Sequence, residues 1–375
     1  MLGFLPKPLI GVIAVTLLIL NTLFWALFLY IPALLKLIVP HKGFRVGCTR
    51  LIIWVAENWV AGNNAWMRLT QRTRWYVTGA EELERESWYL VLSNHQSWVD
   101  ILAMQWVFNR RAPFLKFFLK KELIWVPVIG IAWWGLDFPF MKRHSPQYLL
   151  KHPEKRGQDL ATTRKACEKF RFTPVSVMNF VEGTRFTPEK HRKQKSRYQH
   201  LLQPKAGGVG FVLDAMGDAM ETLVDVTIAY PGGAPSFWDF VCGRVSEVRM
   251  EIHTHPIPDA LKGRDYAKDA EYRRQLKDWL GNLWREKDQR LERMLAEAGK
   301  GPASAAEPLP GPGHQSLFRA SRRLVNGVSN QFQVDLATLL INTCQLYSYR
   351  LVQLEGPGTL GGFQAQGNRI KAELA

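Results

Sequence analysis

The sequence predicts an α/β fold, with a mixed or largely parallel sheet flanked by helices and with an N-terminal transmembrane helix. Strand-length apolar runs recur along the chain, and segments with helical spacing separate them, which is typical of an α/β domain. Residues 8–35 carry no charged side chain, and about 20 apolar residues are enough to cross a bilayer. These observations together predict an α/β domain with a membrane anchor.

The residues that flank this apolar run predict its orientation. Lys7 and the terminal amine precede it, and several basic residues follow it, namely Lys36, Lys42, Arg45 and Arg50. The positive-inside rule therefore places the remainder of the chain in the cytoplasm. A secretory signal is disfavoured because its apolar region spans only about 7–15 residues, and the length of the uncharged run disfavours a buried core helix. Residues 43–62 add an amphipathic helical pattern, so the predicted anchor unit covers residues 1–70.

The predicted catalytic domain covers residues 71–298. Runs typical of strands lie at residues 74–78, 88–92, 175–180, 223–229 and 248–253. The run at 88–92 is apolar throughout, as expected of a strand buried on both faces, and the longest helical pattern covers residues 266–298. A Gly/Pro/Ala-rich run begins at residue 299, so residues 299–375 are predicted to form a linker and a flexible tail.

The composition of the chain narrows the function classes. Its 375 residues include 49 Lys+Arg and 33 Asp+Glu, a formal net charge of +16 at pH 7, which attracts polyanions such as anionic lipids or phosphorylated substrates. The 14 tryptophans favour a membrane surface, because Trp is enriched at membrane–water interfaces. The sequence contains no nucleic-acid-binding motif, so no nucleic-acid partner is expected. The four cysteines form no Cys-x-x-Cys pair, which argues against a zinc ribbon or a disulfide-rich scaffold.

The first candidate catalytic pair is His95 and Asp100. His95 follows the predicted strand at 88–92, where an α/β sheet normally presents its active-site loops. On one regular helix the two side chains would point about 140° apart, so they converge only if His95 precedes the helix and Asp100 lies in its first turns. A carboxylate on one imidazole nitrogen would fix the tautomer and stabilise the imidazolium, which suits a general base acting on a hydroxyl. A structural histidine is the alternative.

A second candidate site is the segment Glu182-Gly183-Thr184-Arg185, which follows the third of these strand-like runs. Gly183 lets the backbone approach a ligand, the Thr184 hydroxyl can donate, and Arg185 can bind a phosphate through two hydrogen bonds. Glu182 could orient Arg185 or a substrate hydroxyl, and a turn with a surface salt bridge is the alternative. Arg143, after an apolar segment, is a further candidate phosphate ligand or else a basic side chain at the membrane interface.

Taken together, Asn-His-x4-Asp at residues 94–100 and Glu-Gly-Thr-Arg at residues 182–185 resemble the motifs of the glycerolipid acyltransferases of the 1-acylglycerol-3-phosphate acyltransferase superfamily. The resemblance is close over residues 180–218, which include Pro-Lys-x-Gly-Gly-x-Gly-Phe at residues 204–211. This longer form is similar to the branch that contains lysocardiolipin acyltransferases and eukaryotic lysophosphatidate acyltransferases. The anchor and the short length are similar to those of bacterial inner-membrane members. The resemblance covers about residues 10–295.

The resemblance implies a role for each matching residue. His95 matches the general base and Asp100 matches its partner. The matches to substrate-binding positions are Arg143, Glu182, Gly183, Thr184, Arg185 and Pro231. Arg143 matches the arginine of the second motif, although Asp137 stands where that motif usually has glycine. Pro231 matches a proline that lines the acyl or acceptor pocket.

The implied reaction moves a fatty acyl group from an acyl thioester to the free hydroxyl of a lysophospholipid, most directly 1-acylglycerol-3-phosphate, and forms phosphatidate. Lysocardiolipin and lysophosphatidylglycerol are alternative acceptors. The donor is acyl-CoA or acyl carrier protein, which the basic run at residues 190–197 could attract. No cofactor and no metal are expected, since His253 and His255 alone make a poor metal site. A lipid or thioester hydrolase and a non-catalytic basic protein of the membrane surface are the alternatives from other classes.

Overall fold

A computed structural model describes residues 2, 4–126, 128–141, 167, 170 and 173–297 of the chain. The helices are α1 (Lys7–Ile38), α2 (Lys42–Thr70), α3 (Val99–Phe108), α4 (Ile129–Gly135), α5 (Pro188–Gln194), α6 (Ala206–Met216), α7 (Phe237–Val241) and α8 (Ala270–Ala296). The strands are β1 (Arg74–Thr78), β2 (Trp88–Ser93), β3 (Leu115–Phe117), β4 (Leu119–Lys120), β5 (Phe140–Met141), β6 (Val175–Phe180), β7 (Thr222–Ala229) and β8 (Glu247–Pro256). Arg143 and the predicted linker and tail at residues 299–375 lie outside the described residues.

Six strands form one mixed sheet in the order β1-β8-β7-β2-β6-β3, and β4 pairs with β5 separately. Within the described residues, neighbouring strands of the large sheet are parallel except for the antiparallel pair β7 and β8. A mixed sheet flanked by helices confirms the predicted fold class. Because β2, β3, β6 and β7 run in the same direction, their carboxyl ends meet at one edge of the sheet, where α/β proteins place ligands.

Helices cover both faces of this sheet. On one face α6 and α8 pack against the strands in an apolar cluster that includes Leu92, Val177, Val209, Leu280 and Trp284. On the other face α2 and α3 contribute to a second cluster, which includes Met67, Val91, Val99, Met104 and Val226. Within β2 the side chains alternate between the faces, since Leu90 and Leu92 belong to the first cluster and Val91 belongs to the second. This arrangement explains why the run at 88–92 is apolar throughout.

Helix α8 follows directly from its sequence. The Asp269 carboxylate accepts a hydrogen bond from the backbone N–H of Tyr272 at 2.9 Å and caps the first turn. Buried apolar residues then recur at a spacing of three or four, among them Leu276, Leu280, Leu283, Leu291 and Met294. Lys287 and Arg290 share this buried face, although lysine and arginine are rarely buried unless they are paired.

Helices α1 and α2 form an antiparallel hairpin. Trp59 Nε1 donates to Thr22 Oγ1 at 3.1 Å, and the rings of Trp25 and Trp54 lie 6.2 Å apart. By length and composition, helix α1 is long and apolar enough to cross a membrane. Only 17% of its most apolar stretch of 18 residues is buried. The exposed apolar side chains of the hairpin include Leu20, Leu23, Phe24, Leu27, Phe28, Ile31, Leu34, Leu51 and Trp54. We call this set the hairpin apolar face.

Both ends of α1 contact the α/β domain. At the start of the helix, Lys7 Nζ donates to the carbonyl oxygen of Gly243 at 2.7 Å. Near its end, Lys36 Nζ donates to the carbonyl oxygen of Gly135 at 2.9 Å and forms an ion pair with Asp137. A helix of 32 residues is about 48 Å long, so α1 lies along the domain over most of its length.

Candidate active site

The candidate residues meet at the carboxyl ends of β2, β6 and β7. Ser93, the last residue of β2, pairs with Phe180 of β6 and with Val226 of β7, so the three strand ends lie side by side. The segments that follow these strands carry the candidates His95, Glu182, Gly183, Thr184, Arg185 and Pro231. The sheet therefore brings together motifs that are far apart in the sequence.

His95 and Asp100 form a hydrogen-bonded pair. His95 lies in the loop before α3, Asp100 lies in the first turn of α3, and their Nδ1 and Oδ2 atoms are 2.8 Å apart. Because His95 precedes the helix and Asp100 lies in its first turn, the two side chains converge, as the sequence spacing requires. The carboxylate is 0% exposed, and its Oδ2 also accepts the backbone N–H groups of Gln96 at 2.7 Å and Ser97 at 2.9 Å. Because Oδ2 accepts hydrogen bonds from both backbone N–H groups, it also acts as the acceptor toward the imidazole, so Nδ1 carries the imidazole proton. Nε2 is then the nitrogen that can take a second proton.

Tyr230 completes the arrangement, and the sequence patterns did not assign it a role. Its hydroxyl donates to Asp100 Oδ1 at 2.6 Å from the position just after β7. Burial and the neighbouring Asp100 charge raise the pKa of the Tyr230 hydroxyl well above its usual value, so this group stays a donor. The sequence feature that could have identified Tyr230 is its position directly after a buried strand and next to Pro231.

The loop that carries His95 is held on several sides. Asn94 exchanges two hydrogen bonds with the backbone of Ile228, at 2.8 and 2.9 Å. The backbone N–H of Phe186 donates to the carbonyl oxygen of His95 at 2.7 Å. The imidazole ring stacks on the ring of Phe180 with 3.9 Å between the centroids. These contacts hold the imidazole in one orientation.

Glu182 lies beneath the site and organises its backbone. Its side chain is fully buried, and its two oxygens accept the backbone N–H groups of His95 at 3.0 Å and of Leu202 at 2.9 Å. Burial raises the pKa of the Glu182 carboxyl to about 7, although both N–H groups oppose this rise. The resemblance assigns Glu182 to acceptor binding; in the structure its oxygens accept from the loop that carries His95 and from the segment around Leu202.

The residues after Glu182 form a cationic loop. Gly183 has a φ of +68°, a conformation that favours glycine, and a Cβ there would lie 3.2 Å from Lys205 Nζ. Lys190 Nζ donates to Thr184 Oγ1 at 2.7 Å and to the carbonyl oxygen of Arg185 at 3.2 Å. Burial lowers the pKa of the Arg185 guanidinium, which still remains protonated near neutral pH. We call Arg185, Lys190 and Lys205 the phosphate-loop cations.

Aromatic and polar contacts shape the borders of this loop. The Arg185 guanidinium lies 4.9 Å from the centroid of the Trp98 ring, a cation–π contact that orients it. Pro231 is half-buried at the end of β7, and Ser97 Oγ donates to the carbonyl oxygen of Pro235 at 2.6 Å. The segment after β7 therefore borders the loop that carries His95.

Asp137, which the resemblance aligns with a glycine of the second motif, lies in a left-handed conformation. Its φ is +58°, a region that aspartate tolerates better than most residues other than glycine. The carboxylate also pairs with Lys36 of α1. These two facts explain how aspartate is accommodated here, while the prediction for Arg143 falls outside the described residues.

The structure offers a limited choice of metal ligands. Within its described residues, no group of three or more His, Cys, Asp or Glu side chains could hold a metal ion. His253 and His255 share one side of β8, and their rings are 6.4 Å apart. His253 Nε2 lies 3.5 Å from Glu251.

Comparisons with known proteins agree with these motifs. Residues 74–230 match the family model described as Acyltransferase. The chain is 26% identical to 1-acyl-sn-glycerol-3-phosphate acyltransferase gamma of Mus musculus over 235 residues, which cover 60% of this chain and 57% of the mouse protein. It is also 26% identical to lysocardiolipin acyltransferase 1 of Danio rerio over 305 residues, which cover 76% of this chain and 71% of that protein.

Two further comparisons define the extent of this similarity. The human gamma enzyme is 25% identical over 66% of this chain and 64% of its own length, so the match spans about three fifths of the gamma enzymes. The crystal structure of the 1-acyl-sn-glycerophosphate acyltransferase of Thermotoga maritima aligns with a TM-score of 0.42 and 15% identity. That alignment covers 73% of this chain and 98% of the Thermotoga chain.

Proposed function

We propose that the chain is a member of the glycerolipid acyltransferase superfamily and that it transfers a fatty acyl group from an acyl thioester to a lysophospholipid hydroxyl. The observation that carries the proposal is the pair formed by His95 and Asp100, with Nδ1 and Oδ2 2.8 Å apart. An imidazole with one nitrogen bound to a buried carboxylate is suited to act as a general base at the other nitrogen.

The reaction follows from these roles. His95 Nε2 removes the proton of the acceptor hydroxyl while the hydroxyl oxygen attacks the thioester carbonyl carbon. The tetrahedral intermediate then collapses, the C–S bond breaks, and the imidazolium returns the proton to the departing thiolate. Asp100 stabilises the imidazolium between the two proton transfers. Because the acceptor oxygen attacks directly, no serine or cysteine nucleophile takes part and no acyl-enzyme forms.

We assign the acceptor phosphate to the phosphate-loop cations. A phosphomonoester carries more negative charge than a phosphodiester, so Arg185, Lys190 and Lys205 favour lysophosphatidate as the acceptor. Lysocardiolipin is the alternative acceptor because a lysocardiolipin acyltransferase is among the relatives, and lysophosphatidylglycerol is another. Pro231 and Arg143 keep their predicted places in substrate binding.

We propose acyl-CoA as the donor, with acyl carrier protein thioesters as the alternative. Both donors carry strong negative charge, and the chain has a net charge of +16. The basic run at residues 190–197, whose first residue is one of the phosphate-loop cations, lies beside the site and favours the approach of either donor.

We propose that the protein is bound to a membrane through the hairpin apolar face, and the bacterial inner membrane remains our prediction from the sequence. A helix that crosses the bilayer separates its two ends by about 30 Å of hydrocarbon. Here both ends of α1 contact the same domain, through Lys7 and through Lys36. These contacts favour a hairpin that lies in one leaflet over the crossing helix that the apolar run predicts.

The side of the membrane on which the N-terminus lies distinguishes the two arrangements. Protein with an N-terminal epitope tag would be reconstituted into sealed vesicles and treated with protease. A hairpin in one leaflet predicts that the tag and the catalytic domain are cleaved together in each orientation. Protection of the tag in vesicles whose catalytic domain is cleaved would instead establish a crossing helix.

The acyl-transfer proposal is tested with purified protein in detergent. Labelled acyl-CoA would be offered with lysophosphatidate, lysocardiolipin, lysophosphatidylglycerol or no acceptor, and the lipid products would be separated. We expect labelled phosphatidate with lysophosphatidate, and its loss in His95→Ala. His253→Ala, which removes an exposed histidine of β8, is the matched control and should retain activity.

The products also separate the competing classes. Release of free fatty acid in place of a diacyl lipid would establish a hydrolase. Acyl transfer from acyl carrier protein thioesters alone would replace the donor and leave the reaction class intact. If no lysophospholipid is acylated from either donor, the proposed function is wrong.

A further inference from the structure

A cluster of buried charges lies between β7 and α8, on the face of the sheet opposite α3. Lys287 of α8 is 0% exposed and Asp225 of β7 is 1% exposed. Lys287 Nζ is 2.5 Å from Asp225 Oδ1 and donates to the carbonyl oxygen of Val226 at 2.5 Å. Arg290 donates to the other oxygen of Asp225. Because burying a lysine is costly, the position of Lys287 requires an explanation.

The three charges of this cluster do not cancel. Lys287 and Arg290 each contribute +1 and Asp225 contributes −1, so these three charges sum to +1. A buried charge is costly unless an opposite charge lies nearby. Glu182 is also 0% exposed, and its charge interacts with that of Lys287. An ionised Glu182 offsets part of this excess positive charge.

The strand pairing places these groups under the catalytic loop. Val226, whose carbonyl oxygen binds Lys287, pairs with Ser93 of β2, and Ser93 pairs with Phe180 of β6. His95 and Glu182 follow Ser93 and Phe180 at the same offset in sequence, and the N–H of His95 donates to Glu182 Oε1. Lys287 therefore binds β7 at the residue that lies beside the end of β2, the strand that leads to His95.

Several groups determine the ionisation of Glu182. Burial raises its pKa to about 7, and the negative charge of Asp100 adds to this rise. The N–H groups of Leu202 and His95 and the positive charge of Lys287 act in the opposite direction. Glu182 is thus close to its titration point at neutral pH, where the loss of one stabilising charge changes its protonation.

Lys287 is a second buried group whose pKa lies near neutral pH. Burial lowers the pKa of its amine to about 8, and the neighbouring charge of Arg290 acts in the same direction. Asp225 and Glu182 oppose this decrease and favour the ammonium. The two buried groups therefore stabilise each other's charged forms.

We propose that Lys287 is a positioning residue that acts through Glu182: its charge favours the ionised carboxylate, which holds the backbone of His95 and Leu202. Protonation would turn one acceptor oxygen of Glu182 into a hydroxyl and weaken one of the two N–H bonds. The catalytic consequence rests on the proposed function, whereas the coupling between Lys287 and Glu182 is independent of it.

Infrared spectroscopy tests this coupling directly. The carbonyl stretching band of a protonated carboxyl group would be followed during a pH titration of the purified protein. Subtracting the spectrum of Glu182→Gln isolates the band of Glu182, which we expect to disappear with a midpoint near pH 7. In Lys287→Met, corrected with Glu182→Gln/Lys287→Met, the midpoint should rise by about one pH unit or more. The control Lys277→Met removes an exposed lysine of α8 and should leave the midpoint unchanged.

Two further variants keep the test decisive if Lys287→Met does not fold. Lys287→Gln retains a donor for the Val226 carbonyl without the charge, so it should raise the midpoint as Lys287→Met does. Lys287→Arg retains the charge and should keep the wild-type midpoint. An unchanged midpoint in a folded Met or Gln variant, or a raised midpoint in the Arg variant, would overturn the proposal.

The pH dependence of kcat/KM tests the catalytic consequence. Lys287→Met should move the acidic limb to higher pH by about one unit and lower kcat near pH 7 by up to about tenfold, with little change in KM for the acceptor. In the Glu182→Gln background, Lys287→Met should cause little further change in the acidic limb or in kcat. If the role of Lys287 were purely structural, Lys287→Met would lower Tm and leave the pH of the acidic limb unchanged. If the wild-type protein transfers no acyl group, the proposed function fails, and the infrared midpoint still decides the coupling.

Discussion

Asp100→Asn removes the charge beside His95 while it keeps the shape of the side chain. Asp100 Oδ2 accepts from His95 Nδ1 and from two backbone N–H groups, and Oδ1 accepts from Tyr230. An asparagine oxygen in the place of Oδ2 keeps the first three hydrogen bonds. The amide nitrogen then faces Tyr230, whose hydroxyl can rotate to accept. The variant therefore retains the tautomer of His95, loses the negative charge of Asp100 and reverses the hydrogen bond with Tyr230.

The electrostatic contribution of this charge follows from the distance between the two groups. Nδ1 and Oδ2 are 2.8 Å apart, so the centres of the imidazolium and carboxylate charges lie roughly 4 Å apart. At an effective dielectric constant of about 20, their attraction is about 4 kcal/mol. Since about 1.4 kcal/mol corresponds to a factor of ten in rate, a fully formed imidazolium would lose about 10³ in kcat. Partial proton transfer in the transition state reduces this, so we expect a loss of about 10²–10³.

Initial rates over a range of acceptor concentrations separate the two kinetic parameters. KM for the acceptor should change by less than about threefold, because the buried Asp100 carboxylate does not reach the substrate. Calorimetry would show that the variant folds with a Tm close to that of the wild type. A kcat within about threefold of the wild-type value in the folded variant would refute the electrostatic role of Asp100.

Three further predictions concern the loop after β6 and the hairpin. Gly183→Ala brings a Cβ within 3.2 Å of Lys205 at a φ of +68°, so denaturant titrations should show a loss of about 1 kcal/mol and kinetics a raised KM for the acceptor. Gly47→Ala, whose Cβ meets open space, is its control and should leave KM unchanged. In Glu182 the folded-state pKa of about 7 exceeds the usual 4.5, so its stabilising contribution is present below pH 4.5 and is lost as pH rises to about 7. Glu182→Gln should abolish this dependence, up to about 3 kcal/mol between pH 4.5 and 7, and its persistence would contradict the assignment. Phe24→Asp/Phe28→Asp should weaken co-sedimentation with phosphatidylcholine vesicles by at least about tenfold, and unchanged binding would exclude the hairpin apolar face as the membrane contact.

Much of the sheet could be predicted because its central strands are buried on both faces. The apolar run at 88–92 became β2, and the run at 175–180 became β6 with the same bounds. The motif residues follow these strands directly, so the parallel pairing of β2 with β6 brings His95 close to Glu182. The patterns missed β3, β4 and β5, since strands of two or three residues show no periodicity.

The supporting residues could not be predicted because their partners are distant in the sequence. Tyr230 reaches Asp100 only through the pairing of β7 with β2, and a tyrosine after a strand is not a motif. The apolar spacing of α8 places Lys287 on its buried face, but its partner Asp225 lies on β7, far away in the sequence. Glu182 belongs to a motif, yet the direction in which its carboxylate points depends on the backbone around Leu202.

The membrane arrangement illustrates the same limit. The uncharged run at 8–35 correctly predicted a long apolar helix. Charge counting at the flanks treats the two ends as separate, whereas Lys7 binds the carbonyl of Gly243 in the α/β domain. This contact joins residues that are 236 positions apart, and a local sequence pattern carries no information about such a contact.

The most direct measurement compares acyl transfer by the wild-type protein and by His95→Ala, from labelled acyl-CoA onto lysophosphatidate. Loss of a general base is expected to lower the rate by about 10²–10⁴, while His253→Ala stays close to wild type. Labelled phosphatidate that forms with the wild type and falls by this factor in His95→Ala is the predicted result. Equal rates in the wild type and in His95→Ala would contradict the assignment of His95 as the base.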